Sequence, residues 1–394
     1  MVEPENNTFL SPVKINAGKK ALAHIPFELA AMGAERPLLI TTKVLVKQKA
    51  VRRVIDGLRG SGVPLGIYDD VGEQAHMKTV LRLTELFQDG GFDAIMPLGS
   101  GSVMHTAKVL NLAVTENTVD LMPFTVKGDQ TIGRLKPHMA IPACSGDGYE
   151  TTSKAFVDDL AFSSLLLMPH VVVVDPEVFI PEDPLKAMSG AMSALTHAVE
   201  GFVGPGKNPF VDAYTYTAIQ MIVHHLAEAL SGGRRWKVAR SAIAAAEAMA
   251  GCAFSNGPPG LTHSLGMAVS RKAVYPEGLC MGILLPYVLD HLSTRDDFFV
   301  DSLLLPMAGP ETYALTSGEL RTGKVLTLIQ ELQYALYEST KGKLPMTLED
   351  VGIQKDQVKP MVDSLAECTS IDVNGEVCLM ILERALRGDP IDLN

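Results

Sequence analysis

The sequence predicts an α/β domain built on a parallel sheet, followed by an all-α domain. Three observations carry this. Over roughly the first 180 residues, short apolar runs alternate with amphipathic stretches, the pattern of parallel strands joined by helical crossovers. From Pro184 onward, apolar residues recur at helical spacing almost to the end of the chain, which argues for helices without strands. Between the two, the segment 180–186, IPEDPLK, combines two prolines with charges and marks the boundary. The expected domains are therefore 1–182 and 183–394.

In the first domain, PLLITT (37–42) reads as a strand, VLVKQKAVRRVIDGLRGSG (44–62) as a helix closed by glycine, and PLGIYDD (64–70) as the next strand. A helix through LRLTELFQDGG follows, and then DAIMPLGSGSVMHTAKVLNLA gives a strand, a tight turn of small residues and a helix in direct succession. The turn is Gly99, Ser100, Gly101 and Ser102. Backbone N–H groups at a helix start, with the positive end of the helix behind them, can hold a phosphate, and small side chains let it come close. A plain tight turn between strand and helix accounts for the same residues equally well. Two more strands are expected in HMAIPAC (138–144) and PHVVVVDPEVF (169–179). The first runs into SGDGYETT, a loop of small and polar residues at a strand end, where open sheets of this kind bind ligands.

In the second domain, MSGAMSALTHAVEGFV (188–203) is a buried helix that places Ser193 and His197 one turn apart on one face. Two further polar residues stand in apolar settings, His263 in GLTHSLGMA and Glu277 in VYPEGLCMGILLPYV. Two imidazoles and a carboxylate form a workable ligand set for zinc or ferrous iron. A histidine alone on an apolar helix face is more often a hydrogen-bonded core residue, so both readings stand at this point.

Composition narrows the function. The formal charge of −11, without any basic patch, argues against non-specific binding to nucleic acid or to an anionic membrane surface. No apolar run reaches the roughly 20 residues of a membrane helix, and the start MVEPENNTFLSPVK lacks the pattern of a secretory signal. The five cysteines, Cys144, Cys252, Cys280, Cys368 and Cys378, are scattered and show no C-x-x-C pair. Free thiols in a reducing, cytoplasmic compartment are the expectation.

The order of motifs resembles the iron-containing (group III) alcohol dehydrogenases. The residues that carry the resemblance are LGSGSVMHTAK (98–108), IPACSGDGYE (141–150), VVVVDPEVF (171–179), MSALTHAVEGF (192–202), SNGPPGLTHSLG (255–266) and PEGLCMGILLPYV (276–288), collinear from about Phe9 to about Leu292. The resemblance implies an N-terminal Rossmann-like dinucleotide-binding domain, a C-terminal helical domain and an active site in the cleft between them. It also implies hydride transfer between NAD(P)H and a small alcohol or aldehyde, and a divalent ion such as iron or zinc; dimers and higher assemblies are both common among the relatives, and a homodimer is one expectation. Cofactor contacts fall on Thr42, Lys43, Gly99, Ser100, Gly101, Ser102 and Cys144, and metal ligands on His197, His263 and Glu277.

Several positions depart from the family's pattern. Ser193 stands where the family has a ligating aspartate, and Glu277 where it has the last ligating histidine. One outcome is an atypical site rebuilt from two histidines and one glutamate, with a position left for water or substrate. The other is a metal-free or non-catalytic relative that keeps the fold and still binds a dinucleotide. His105 replaces an aspartate, Asp147 a threonine and Met267 a histidine. His105 reads either as a general acid or base or as a surface residue on the first turn of its helix. After the strand PLLIT, Thr42 and Lys43 occupy the place where NAD-preferring relatives carry an aspartate. A hydroxyl and an ammonium offered there favour NADP over NAD.

Overall fold

The computed structural model describes residues 7–143, 147–179, 183–231, 233–273, 275–368 and 374–391, the side chains of 364–368 excepted. The chain divides into two compact units, Leu10–Glu182, and Asp183–Asn394 together with Met1–Phe9.

In the first unit, β1 (Lys14–Ala17), β2 (Pro37–Ile40), β3 (Gly66–Tyr68), β4 (Ala94–Gly99), β5 (Met139–Pro142) and β8 (Val171–Val174) form one parallel sheet in the order β1-β8-β5-β4-β2-β3. The inner strands β2, β4, β5 and β8 are buried at every residue, which is why they read as unbroken apolar runs rather than alternating ones. Register is set by pairs such as Ile15 with Val172, Leu39 with Met96, and Leu98 with Ile141. The crossover helices are α1 (Ile25–Met32), α2 (Lys43–Lys47), α3 (Ala50–Gly57), α4 (Met77–Asp89) and α5 (Gly101–Glu116). Leu83 and Phe87 of α4 with Val103, Ala107 and Leu110 of α5 close one core over Leu38, Ile40 and Ile95 of the sheet.

Two local features differ from the sequence expectation. The single helix expected over 44–62 is split into α2 and α3, because Lys49 takes a left-handed backbone (φ 67°) between them. A β-branched residue could not sit there without strain, whereas lysine at a helix join tolerates it. An antiparallel hairpin, β6 (Lys154–Val157) with β7 (Leu160–Ser163), was not anticipated. Its signal was the pair Asp158–Asp159 between two short apolar stretches, with Asp158 at φ 51°, as primed hairpin turns require.

The second unit is helical in its described residues: α6 (Pro184–Val203), α7 (Pro209–Leu230), α8 (Trp236–Phe254), α9 (Leu261–Ala273), α10 (Glu277–Leu292), α11 (Leu304–Leu315), α12 (Gly318–Ser339), α13 (Lys355–Cys368) and α14 (Gly375–Arg387). Two of the helix starts follow the capping rules closely. Asp183 accepts from Leu185 N ahead of Pro184, and Asn208 from Phe210 N ahead of Pro209. The core is one continuous cluster running from Met188 and Leu195 of α6 through Leu284 and Val288 of α10 to Leu382 of α14. The start of the chain also belongs here rather than with the sheet. Phe9 rests against Phe210 and Tyr214 (centroids 5.9 and 5.1 Å), and Asn208 Nδ2 donates to Thr8 O. Nothing in the sequence near residue 9 signals this, because the contact is made 200 residues away.

Lys108 of α5 is fully buried, and its ammonium donates to Tyr149 O, Thr152 O, Thr152 Oγ1 and Lys154 O at 2.6–3.1 Å. Burial pushes it down to about 7, with Glu150 acting the other way. The lysine thereby pins the segment that leads from the β5 loop into the hairpin. Lys108→Ala leaves those carbonyls without their donor, and a loss of about 3–5 kcal/mol of unfolding free energy is expected in denaturant titration.

Candidate functional site

In the first unit, the C-terminal edge of the sheet gathers the residues expected to meet a dinucleotide. β4 delivers Gly99 into the turn, Ser100 takes an extended backbone as N-cap, and α5 begins at Gly101. The first N–H groups of a helix have no partner within it, so the turn presents donors and the positive helix end together. Small residues are required. A Cβ at Gly99 would lie 2.7 Å from Val103 Cγ2, and one at Gly101 would lie 2.7 Å from Asp147 Oδ2. Neighbouring strand ends are tied to the turn by hydroxyls. Thr41 Oγ1 donates to Leu98 O at 2.8 Å, and Ser102 Oγ donates to Gly72 O at 3.1 Å.

Thr42 caps α2, its hydroxyl accepting from Leu45 N at 3.4 Å. Lys43, expected to offer its ammonium to a phosphate, donates to Asp70 Oδ1 at 2.6 Å. Cys144 lies outside the described residues. His105 is buried (7% exposed), so the surface reading does not hold. Its ring lies edge-on to Tyr149 and Phe156, and its Nδ1 accepts from Phe156 N at 3.4 Å. A histidine here replaces an acidic residue by packing inside the domain, with Tyr149 at 4.2 Å between centroids.

In the second unit, α6 carries Ser193, His197 and Glu200 at one-turn spacing, the first two buried and Glu200 half-buried as a residue. His197 Nε2 and His263 Nδ1 share a hydrogen bond at 3.0 Å, and both residues are almost wholly buried. Phe254, at the end of α8, stacks on the His197 ring at 3.9 Å and 15°. Sequence reasoning gave no role to Glu200, which organises this region. Its carboxylate accepts from Gly260 N (3.1 Å), Thr262 N (2.5 Å) and His263 N (3.2 Å), capping the start of α9 from another helix. Gly260 has to be glycine, since a Cβ there would lie 2.2 Å from Glu200 Cδ. Burial pushes Glu200 up to about 7 against the pull of these N–H groups. A glutamate three residues after His197 and a glycine just before α9 were the available signals, but pairing them required the fold.

Glu277 opens α10 behind Pro276. The next residue, Gly278, presses on Ser189 of α6, where an added Cβ would lie 1.8 Å from the Ser189 carbonyl oxygen. Ser189 and His197 are eight residues apart on one helix, about 12 Å along its axis. The structure thus brings His197 and His263 together. Among the described residues, no three His, Cys, Asp or Glu side chains form a group able to hold a metal ion.

The sequence matches the family description "Iron-containing alcohol dehydrogenase" over residues 12–176 and "Fe-containing alcohol dehydrogenase family, C-terminal" over residues 187–374. The chain belongs to the iron-containing alcohol dehydrogenase family. It is 29% identical over 289 residues to an NAD-dependent methanol dehydrogenase of Bacillus methanolicus, covering 72% of this chain and 74% of that protein. It is 28% identical over 329 residues to an NADPH-dependent butanol dehydrogenase of Clostridium saccharobutylicum, covering 80% of each. A crystal structure of a 1,3-propanediol oxidoreductase shares the fold, with a TM-score of 0.87 at 24% identity over 97% of this chain and 100% of that one. The expected fold class and family therefore hold, and the chain is an oxidoreductase of the alcohol dehydrogenase and aldehyde reductase type.

The family implies a divalent ion, and the donor set here does not fit one. Ser193 supplies a neutral hydroxyl, His197 Nε2 and His263 Nδ1 are committed to each other, and among the described residues Glu277 does not complete a group of three with them. Two histidines without a carboxylate fall short of the three or four ligands that hold zinc or ferrous iron.

Two outcomes follow. A site of micromolar affinity would add about 2.7 kcal/mol at a free-ion concentration about a hundred times its Kd; Zn2+ or Fe2+ added to the purified protein is expected to leave the thermal midpoint unchanged. Glu200 binds its proton more tightly in the folded chain than in the unfolded one. The stability it contributes is fully present below about pH 4.5 and is lost as pH rises through about 7. Denaturant titrations across that window should show wild-type stability falling, with Glu200→Gln showing a flatter profile.

Proposed function

We propose that the protein interconverts a small aldehyde and its alcohol by hydride transfer to and from a nicotinamide dinucleotide. The observation that carries this reading is the turn of Gly99, Ser100, Gly101 and Ser102 at the carboxyl edge of a parallel sheet, where the start of α5 suits a pyrophosphate. Family membership supplies the reaction class.

In the reducing direction the nicotinamide delivers a hydride to the carbonyl carbon, and the oxygen takes a proton to complete the alcohol. Within the second unit, the buried hydrogen-bonded pair His197–His263, with Phe254 stacked on the His197 ring, is the proposed polar centre. No step is routed through an ion, since among the described residues no three His, Cys, Asp or Glu side chains form a group able to hold one. A second reading has one observation in its favour, the altered donor set around Ser193, and takes the chain as a dinucleotide-binding relative without turnover.

Nicotinamide fluorescence on mixing with NADH and NADPH, followed by loss of nicotinamide absorbance against a panel of short aldehydes, separates the two. Binding with consumption supports the enzyme, binding without consumption the second reading, and no binding overturns both. Gly101→Val crowds the turn proposed to hold the pyrophosphate and is expected to weaken dinucleotide binding at least about tenfold, or 1.4 kcal/mol; because its Cβ also meets Asp147 Oδ2 at 2.7 Å, the unfolding midpoint is measured alongside and binding is compared at a temperature where the variant is folded.

A further inference from the structure

The sheet edge beside the phosphate turn carries a charge arrangement that the sequence did not reveal. β2 continues past Ile40 through Thr41 and Thr42, and β3 past Tyr68 through Asp69 and Asp70. The two extensions are joined. Thr41 N donates to Tyr68 O at 2.8 Å, Val71 N donates to Thr41 O at 3.2 Å, and Thr42 pairs with Asp70 in an isolated antiparallel bridge. Two residues beyond Asp70, the Gly72 carbonyl accepts from Ser102 Oγ of the phosphate turn. Asp70 thus stands beside position 42 and is linked to the turn by a short run of hydrogen bonds. Its carboxylate is bracketed by two cations, Lys43 Nζ at 2.6 Å and Arg82 Nη1 at 3.6 Å.

A dinucleotide whose pyrophosphate rests on a helix start at the carboxyl end of one strand lays its adenosine ribose over the end of the neighbouring strand. A carboxylate there accepts from the ribose hydroxyls and repels a 2′-phosphate, whereas free cations attract one. β2 adjoins β4, and its end lacks a carboxylate of its own. We propose that Asp70, reaching across from β3, sets the cofactor choice: it makes NAD the preferred dinucleotide and keeps Lys43 and Arg82 from receiving a 2′-phosphate. This rests on the dinucleotide site proposed above. The hydrogen bond from Lys43 holds the Asp70 carboxyl below its usual range, so the carboxylate is charged at neutral pH. The pair is exposed, with side chains 64% and 47% accessible. Such pairs contribute little to stability, so removing the carboxylate frees two cations without unfolding the domain.

The test compares NADH with NADPH, by fluorescence-titrated Kd and by kcat/KM, in wild type, Asp70→Ser and the double variant Asp70→Ser with Lys43→Ala. Wild type is expected to favour NADH. Asp70→Ser should move the ratio toward NADPH by about tenfold or more, chiefly through Kd and KM, and the double variant should lose that gain. A wild type that favours NADPH, or a ratio that moves by less than about threefold in Asp70→Ser, overturns the assignment. Failure of wild type to bind either dinucleotide overturns the site itself, and is visible before any variant is made.

Discussion

A helix begins with backbone N–H groups that no residue of its own can satisfy, and in the second unit another helix satisfies them. Glu200 of α6 takes three hydrogen bonds from the start of α9, at Gly260, Thr262 and His263. Because His263 is one of the donors, its ring is fixed opposite His197, one turn earlier on α6. The arrangement needs a side chain of this length and charge on α6, and a residue without Cβ at 260. Its cost is a buried carboxylate, visible in the upward pull on its pKa. Helix starts favour negative charge, which offsets part of that cost.

The sheet of the first unit solves a different problem. Parallel strands satisfy one another's backbone groups along their length, and only at their carboxyl ends do turns of irregular chain present groups to a ligand. Here those turns are braced by side chains that bond to neighbouring backbone. Thr41 holds Leu98, Ser102 holds Gly72, and Lys108 holds Tyr149, Thr152 and Lys154. A site braced in this way keeps its geometry before a ligand arrives, which lowers the entropy lost on binding.

The departures from the family's ligand pattern form a consistent set. Loss of a carboxylate at Ser193 removes both a donor and the negative charge that a divalent ion needs. Glu277 supplies a carboxyl group, but at the first residue of α10, where the helix dipole favours a carboxylate whatever else it does. The imidazoles that would have faced an ion face each other, under the ring of Phe254.

The sequence alone was enough to establish the α/β and helical halves, the buried strands around VVVV and AIMPLG, the strand–turn–helix passage through Gly99–Ser102 and the family, because hydrophobic periodicity and short motifs are local properties of the chain. It also named His197 and His263, which the fold brings within 3.0 Å of each other. It missed the break at Lys49 and the turn at Asp158, where left-handed backbone on non-glycine residues leaves little compositional trace. The roles of Glu200, Lys108 and Asp70 were decided only by tertiary structure. Glu200 and Asp70 act on residues 60 and 27 positions away, and Lys108 on residues more than 40 away. A charged side chain looks the same in a sequence whether it is solvated, capping a distant helix or neutralising a cation, and only the fold determines which groups it reaches.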